Sequence, residues 1–141
     1  MRYSQPFYSI VIHEDAEDDL DVIYELDEDA GADIDVFLDE AAADQMVLEN
    51  LSRNGHVEYG DTNYDVKEWV EVKRAHYNLW RLKFFDIPTT ATNYRIIYAF
   101  HPAEYRYYVL GILIRSDAYD LSNPRNQQIL AAYDALCIPR Y

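Results

Sequence analysis

The chain has 141 residues, 26 of them Asp or Glu against 12 Lys or Arg, which gives a formal net charge of −14. Half the residues are apolar and 15% are aromatic, enough for one domain with its own core and too many for a disordered acidic tail. One cysteine, Cys137, excludes an internal disulfide or a multi-cysteine zinc site, and no apolar run approaches the roughly 18 residues of a membrane span. Residues 1–6 lack the apolar core and cleavage site of a signal peptide, so a cytoplasmic protein with no membrane association is expected. The charge is unevenly spread. Residues 1–65 hold 19 carboxylates and two arginines, whereas 66–141 hold seven carboxylates and ten Lys or Arg. An acidic front half is joined to a mildly basic back half, a split that points to a tail or a charged binding face.

In chain order, residues 7–12 form an apolar, β-branched run that predicts a strand. Asp15 is the expected cap of a first helix carrying Glu17, Asp18 and Asp19 in its first turn, with Leu20, Ile23, Tyr24 and Asp27 on one face and Gly31 as its stop. Ile34, Phe37, Leu38, Ala41, Ala42, Leu48 and Leu51 recur at helical spacing and predict a second helix, closed by Asn54 and Gly55. The two make an acidic helical hairpin over about 15–54, whose carboxylates read first as a solvated outer face. Residues 56–65 read as loop.

The period then turns from helical to alternating. Residues 66–74 predict a strand with Trp69 or Val70 inward. Residues 79–85 predict a second, with Trp80, Leu82 and Phe84 on one face and Arg81 and Lys83 on the other. Strands at 94–100 and 106–115 follow, joined by a turn at 101–104, and the longer one is expected at the centre of the sheet. Asn123 as cap and Pro124 at the first position open a last helix with Ile129, Leu130, Tyr133 and Leu136 along one stripe. Cys137, between Leu136 and Ile138, is expected to be packed. The order predicts a single α+β domain over 1–141: an N-terminal strand and helical hairpin packed on a mainly antiparallel sheet of four to five strands, with a C-terminal helix and the sheet region at about 66–138.

Taken together, the opening strand and helical hairpin, LWRLK at 79–83, YRIIY at 94–98 and the apolar strand running on to Arg115 and Tyr119 resemble the RelE/ParE superfamily of type II toxins. The resemblance implies a growth-inhibiting toxin held in check by a cognate antitoxin protein. It implies either a ribosome-dependent endoribonuclease that cuts mRNA or a ParE-like poison of DNA gyrase that cuts nothing. Carried over by motif, Arg95 corresponds to the arginine beside the scissile phosphate. Arg115 corresponds to the basic residue closing the next strand, and Tyr119 to the tyrosine that stacks on a base or moves a proton. Arg81 and Lys83 correspond to basic residues on a neighbouring, substrate-binding strand.

Cleavage by the 2′-hydroxyl needs a proton acceptor, charge stabilisation at phosphorus and a proton for the leaving oxygen. Fixed Arg and Lys can supply the charge without a metal, and no ligand spacing implies a metal or organic cofactor. His101, in the hairpin turn, is the nearest candidate base, and His76 is a second. The alternative for the basic residues is pairing with the acidic hairpin. A charge of −14 also favours other readings, since ribosomal RNA is a polyanion. The target could be a protein such as gyrase. The acidic surface, with only three lysines, could reflect a high-salt cytoplasm. The hairpin could itself be an interaction module, even a nucleic-acid mimic.

Overall fold

The computed structural model describes residues 7–60 and 62–140; residues 1–6, read above for a leader, Asp61 in the segment read as loop, and Tyr141 lie outside it. Its elements are β1 (Ser9–Ile12), α1 (Glu14–Leu26), α2 (Glu28–Ala42), α3 (Gln45–Asn50), β2 (Gly55–Tyr59), β3 (Thr62–Glu68), α4 (Val70–Lys73), β4 (Leu79–Phe85), a 3-10 turn (Thr90–Asn93), β5 (Tyr94–His101), β6 (Arg106–Ile114), α5 (Arg115–Ala118) and α6 (Pro124–Ala135). The six strands form one sheet in the order β1-β6-β5-β4-β3-β2. Every neighbouring pair is antiparallel except β1 and β6, which run parallel with Ser9 opposite Arg106.

The α+β class stands, but the sheet has six strands rather than four to five and is mixed. The additional strand is β2, in the segment expected to be loop. His56, Val57, Glu58 and Tyr59 pair with Asp65, Tyr64, Asn63 and Thr62, so β2 and β3 form an antiparallel pair. As an edge strand with one partly buried face, β2 needs few apolar residues, which is why its pattern is weak. β6 is an inner strand, though one place from the edge.

The helical hairpin also divides differently. His13, not Asp15, caps α1, its Nδ1 accepting from the Asp15 backbone N–H. α1 stops at Asp27, whose N–H reaches the Ile23 carbonyl while its carboxylate accepts from the Ala30 N–H and opens α2. Gly31 is therefore not a stop. It lies buried within α2, where a Cβ would stand 2.8 Å from the Tyr24 ring. Asp44 interrupts the second stripe and caps α3 by accepting from the Met46 and Val47 N–H groups.

These helices cover one face of the sheet. Leu20, Ile23, Ile34, Phe37, Leu38 and Leu48 pack on Tyr64, Val66, Trp80, Leu82, Phe84, Ile96, Tyr98 and Val109. On the opposite face α6 and the short helices α4 and α5 cover one end: Ile129, Tyr133, Val72 and Ala118 pack with Leu79, Ile97, Ala99, Leu110 and Leu113. α6 comes so close that a Cβ on Gly111 would stand 2.7 Å from Ile129. The strand expected over 66–74 ends at Glu68, because the chain turns there into α4; Trp69, at the start of that helix, is buried and Val70 exposed. Cys137 is exposed rather than packed, because the backbone passes through a left-handed turn there (φ 57°) and it is Ile138 that enters the core. No helix among the described residues is long and apolar enough to cross a membrane.

Candidate functional site

Where α4, α5 and α6 stop covering the outer face, alternating residues of β3, β4 and β5 are left facing outward. Tyr64 and Val66 point to the helical hairpin, so Asp65 and Lys67 point away; the same alternation turns Arg81 and Lys83 outward on β4 and Arg95 outward on β5. The register sets Lys83 beside Asp65 and Arg81 beside Lys67, while pairing Leu82 with Ile96 brings Arg95 level with Lys83. Tyr119, just past α5, lies over the arginines. The guanidinium carbon of Arg81 is 4.2 Å from its ring centre and that of Arg95 is 5.8 Å. These residues line a depression of about 10 Å³, so a ligand would lie on the surface rather than inside it.

The two arginines are held in different ways. Arg81, 8% exposed, donates to the Ala118 carbonyl at 3.2 Å, pairs with Glu71 at 3.3 Å and stacks on Trp69 as well as Tyr119. Burial lowers its pKa and the Glu71 carboxylate raises it part of the way back; a guanidinium stays charged in either setting. Arg95, 5% exposed, donates to the carbonyls of Thr92 and Tyr94, each at 3.0 Å, and through Nε to the Tyr119 hydroxyl at 3.4 Å. Among the described residues no carboxylate pairs with it. A buried cation satisfied by carbonyls and a phenol keeps its charge available to an incoming anion, because dipoles orient the guanidinium without neutralising it.

Tyr119 is half exposed and feels both cations. Burial works to raise its pKa, but the hydrogen bond and charge of Arg95, with the charges of Arg81 and Lys83, outweigh this and hold the phenol below its ordinary value. It can thus offer a ring face to a base and an acidified hydroxyl to a proton transfer.

The basic residues do not, in general, serve the acidic hairpin. Lys83 faces Asp65 at 4.0 Å, Lys73 faces Glu68 at 3.1 Å and Arg81 faces Glu71. Arg125 alone among the described basic residues of the back half reaches the hairpin, pairing with Asp19 at 2.8 Å. Arg115 sits exposed at the start of α5, and no hydrogen bond or ion pair joins it to the cluster among the described residues. His101 ends β5, six residues from Arg95 and so about 20 Å along the strand. Its Nε2 faces Glu104 at 3.5 Å. His76 lies elsewhere too, lining a cavity of about 400 Å³ with Glu68, Lys73, Tyr77 and Asn78. The histidine level with Lys83 and Arg95 on the outer face is His56. It was hidden in the segment read as loop, and only the alternation of Val57 and Tyr59 hints that it belongs to a strand. No group of three or more His, Cys, Asp or Glu among the described residues is placed to hold a metal ion. Compared with known proteins, the chain matches no family model, no curated protein and no solved structure.

Proposed function

We propose that this protein is the toxin of a type II toxin–antitoxin pair, of RelE/ParE kind, and that it inhibits growth by cutting mRNA on the ribosome. The observation that carries the reading is Arg95: a buried guanidinium with no carboxylate partner among the described residues, roofed by a tyrosine that a second arginine also touches. In the proposed reaction the 2′-oxygen attacks the adjacent phosphorus, the bond to the 5′-oxygen breaks, and a cyclic phosphate and a 5′-hydroxyl result. Tyr119, in the phenolate form that the flanking cations favour, accepts the 2′-proton, and solvent water protonates the departing 5′-oxygen. Arg95 and Arg81 stabilise the added negative charge on the phosphate, which an immobile donor in a partly dry setting does well. Lys83 and Lys67 hold the neighbouring phosphates.

The test is inducible expression in bacteria of the wild type beside an Arg95→Ala/Tyr119→Phe variant, with growth and mRNA 5′ ends followed together. Arrest with new 5′ ends in translated messages, both lost in the variant, is expected. Arrest with intact mRNA and a DNA-damage response would move the reading to a gyrase poison. Absence of arrest from folded protein would sink the toxin assignment.

A further inference from the structure

The outer face carries more than the Arg95–Tyr119 cluster. His56, Asp65, Lys83 and Arg95 stand level with one another on four adjacent strands, β2 to β5, all directed away from the helical hairpin. Three inter-strand steps separate the ends of this row, about 14 Å. At the far end from Tyr119 the His56 imidazole lies against the Phe85 ring, with centres 4.6 Å apart and planes inclined by 36°. Both rings are partly open to solvent, and neither belongs to the two buried cores. The only carboxylate in the row, Asp65, sits between His56 at 3.8 Å and Lys83 at 4.0 Å, so a cation flanks it on one side and an imidazole on the other. Glu58, the carboxylate of β2, also lies at this end and is exposed.

We infer that this row is a track for single-stranded RNA laid across the strands, with the His56–Phe85 pair as a second base-stacking platform opposite Tyr119. The inference rests on the reading of the Arg95–Tyr119 cluster as the scissile-phosphate site and extends its substrate to a segment of several unstacked nucleotides. The occupant follows from the chemistry. The adjacent cations Lys83 and Arg95 match phosphates of an extended backbone, and aromatic rings at the two ends of the row match the faces of unpaired bases. A duplex would present neither. His56 is too far from Arg95 to move a proton there, so its part is positioning. Asp65 opposes the phosphates and instead steadies Lys83 and His56.

The probe is 2′-O-methyl oligouridylate, which lacks the attacking hydroxyl and so survives the assay, as a dinucleotide and as a hexanucleotide. Affinities are read by fluorescence anisotropy for the wild type, Phe85→Leu, His56→Gln and Asp65→Asn, with thermal melts confirming that each variant is folded. The hexanucleotide should bind the wild type about tenfold more tightly than the dinucleotide, the gain of one stacked base. Phe85→Leu, which keeps apolar bulk but loses the ring, should remove most of that gain and leave the dinucleotide unchanged. His56→Gln should do the same more weakly, and Asp65→Asn should tighten the hexanucleotide severalfold. Equal affinity for the two lengths, no loss in Phe85→Leu, or no binding of either oligonucleotide would overturn the track. The nuclease reading is judged separately by mRNA 5′ ends in cells. Cleavage without a length-dependent gain would leave that reading standing alone, and tight binding without cleavage would leave the track alone.

Discussion

Tyr119 has a phenol whose acidity is set by its neighbours, and this makes its contribution separable from its bulk. If it accepts the 2′-proton, cleavage should rise with pH and level off below the ordinary tyrosine value near 10. Tyr119→Phe should lose at least about tenfold in rate and flatten that profile, while retaining much of the stacking. A profile unchanged in the variant would remove Tyr119 from proton transfer. Arg95→Lys should fail nearly as badly as Arg95→Ala in the same assay. One ammonium cannot donate to two carbonyls and a phenol while lying flat beside a ring. Much of this site was legible beforehand: the alternation in LWRLK put Arg81 and Lys83 on the face opposite Trp80 and Leu82. What alternation could not supply was register. Arg95 joins that face only because Ile96 pairs with Leu82, a property of two strands together. His56 was missed because β2 is a five-residue edge strand whose pairing with β3, rather than its own composition, holds it extended.

At the level of elements, the α1–α2 junction and the outer margin of β6 show why caps misled the reading of the helices. By pattern Asp27 belongs to one face of a helix that Gly31 stops, yet Asp27 closes one helix and opens the next. Gly31 is required by contact rather than by backbone conformation. Gly31→Ala should therefore destabilise the fold, by about 1–3 kcal/mol, although alanine is the better helix former by about 1 kcal/mol. The added carbon meets the root of the Tyr24 ring, which cannot yield without breaking the Tyr24–Asp35 hydrogen bond. A raised unfolding midpoint in urea would refute this. A second junction lies where β1 ends opposite Val109 and leaves the rest of β6 without a strand on that side. Asp19 accepts from the Ile112 N–H at 2.9 Å, and Arg125 donates to the Leu110 carbonyl at 2.8 Å while pairing with Asp19. Two side chains thus take the place of a strand's backbone groups. Asp19→Ala should cost about 2–3 kcal/mol, because it leaves a backbone donor and a half-buried guanidinium without their charged acceptor. Chemical denaturation of the two proteins measures it.

Across the whole molecule, phenols dominate the response to alkali. Burial pushes Tyr64 and Tyr107 up to about 12, and Tyr98, whose hydroxyl donates to the Leu51 carbonyl at 2.6 Å, is driven up further by its burial. The folded state holds these protons more tightly than the unfolded chain does. Their contribution is therefore complete below pH 10 and is lost as pH climbs from 10 through 12. Tyrosinate absorbance should rise in two phases, exposed phenols first and buried ones together with loss of circular dichroism. Ionisation of all phenols with the fold intact would contradict the burial described here. The α+β class could be foreseen from the element order, whereas the parallel pairing of the first strand with the last could not, since nothing local to Ser9–Ile12 names its partner. That pairing has a temporal side. β1 finds the strand it pairs with about 100 residues later, which at ordinary rates of synthesis is roughly 5–20 s. Until Arg106–Ile114 has been made, the sheet cannot close and Arg95 lacks both the strand beside it and the tyrosine above it. A growing chain thus cannot assemble the Arg95–Tyr119 cluster until Tyr119 itself has been made.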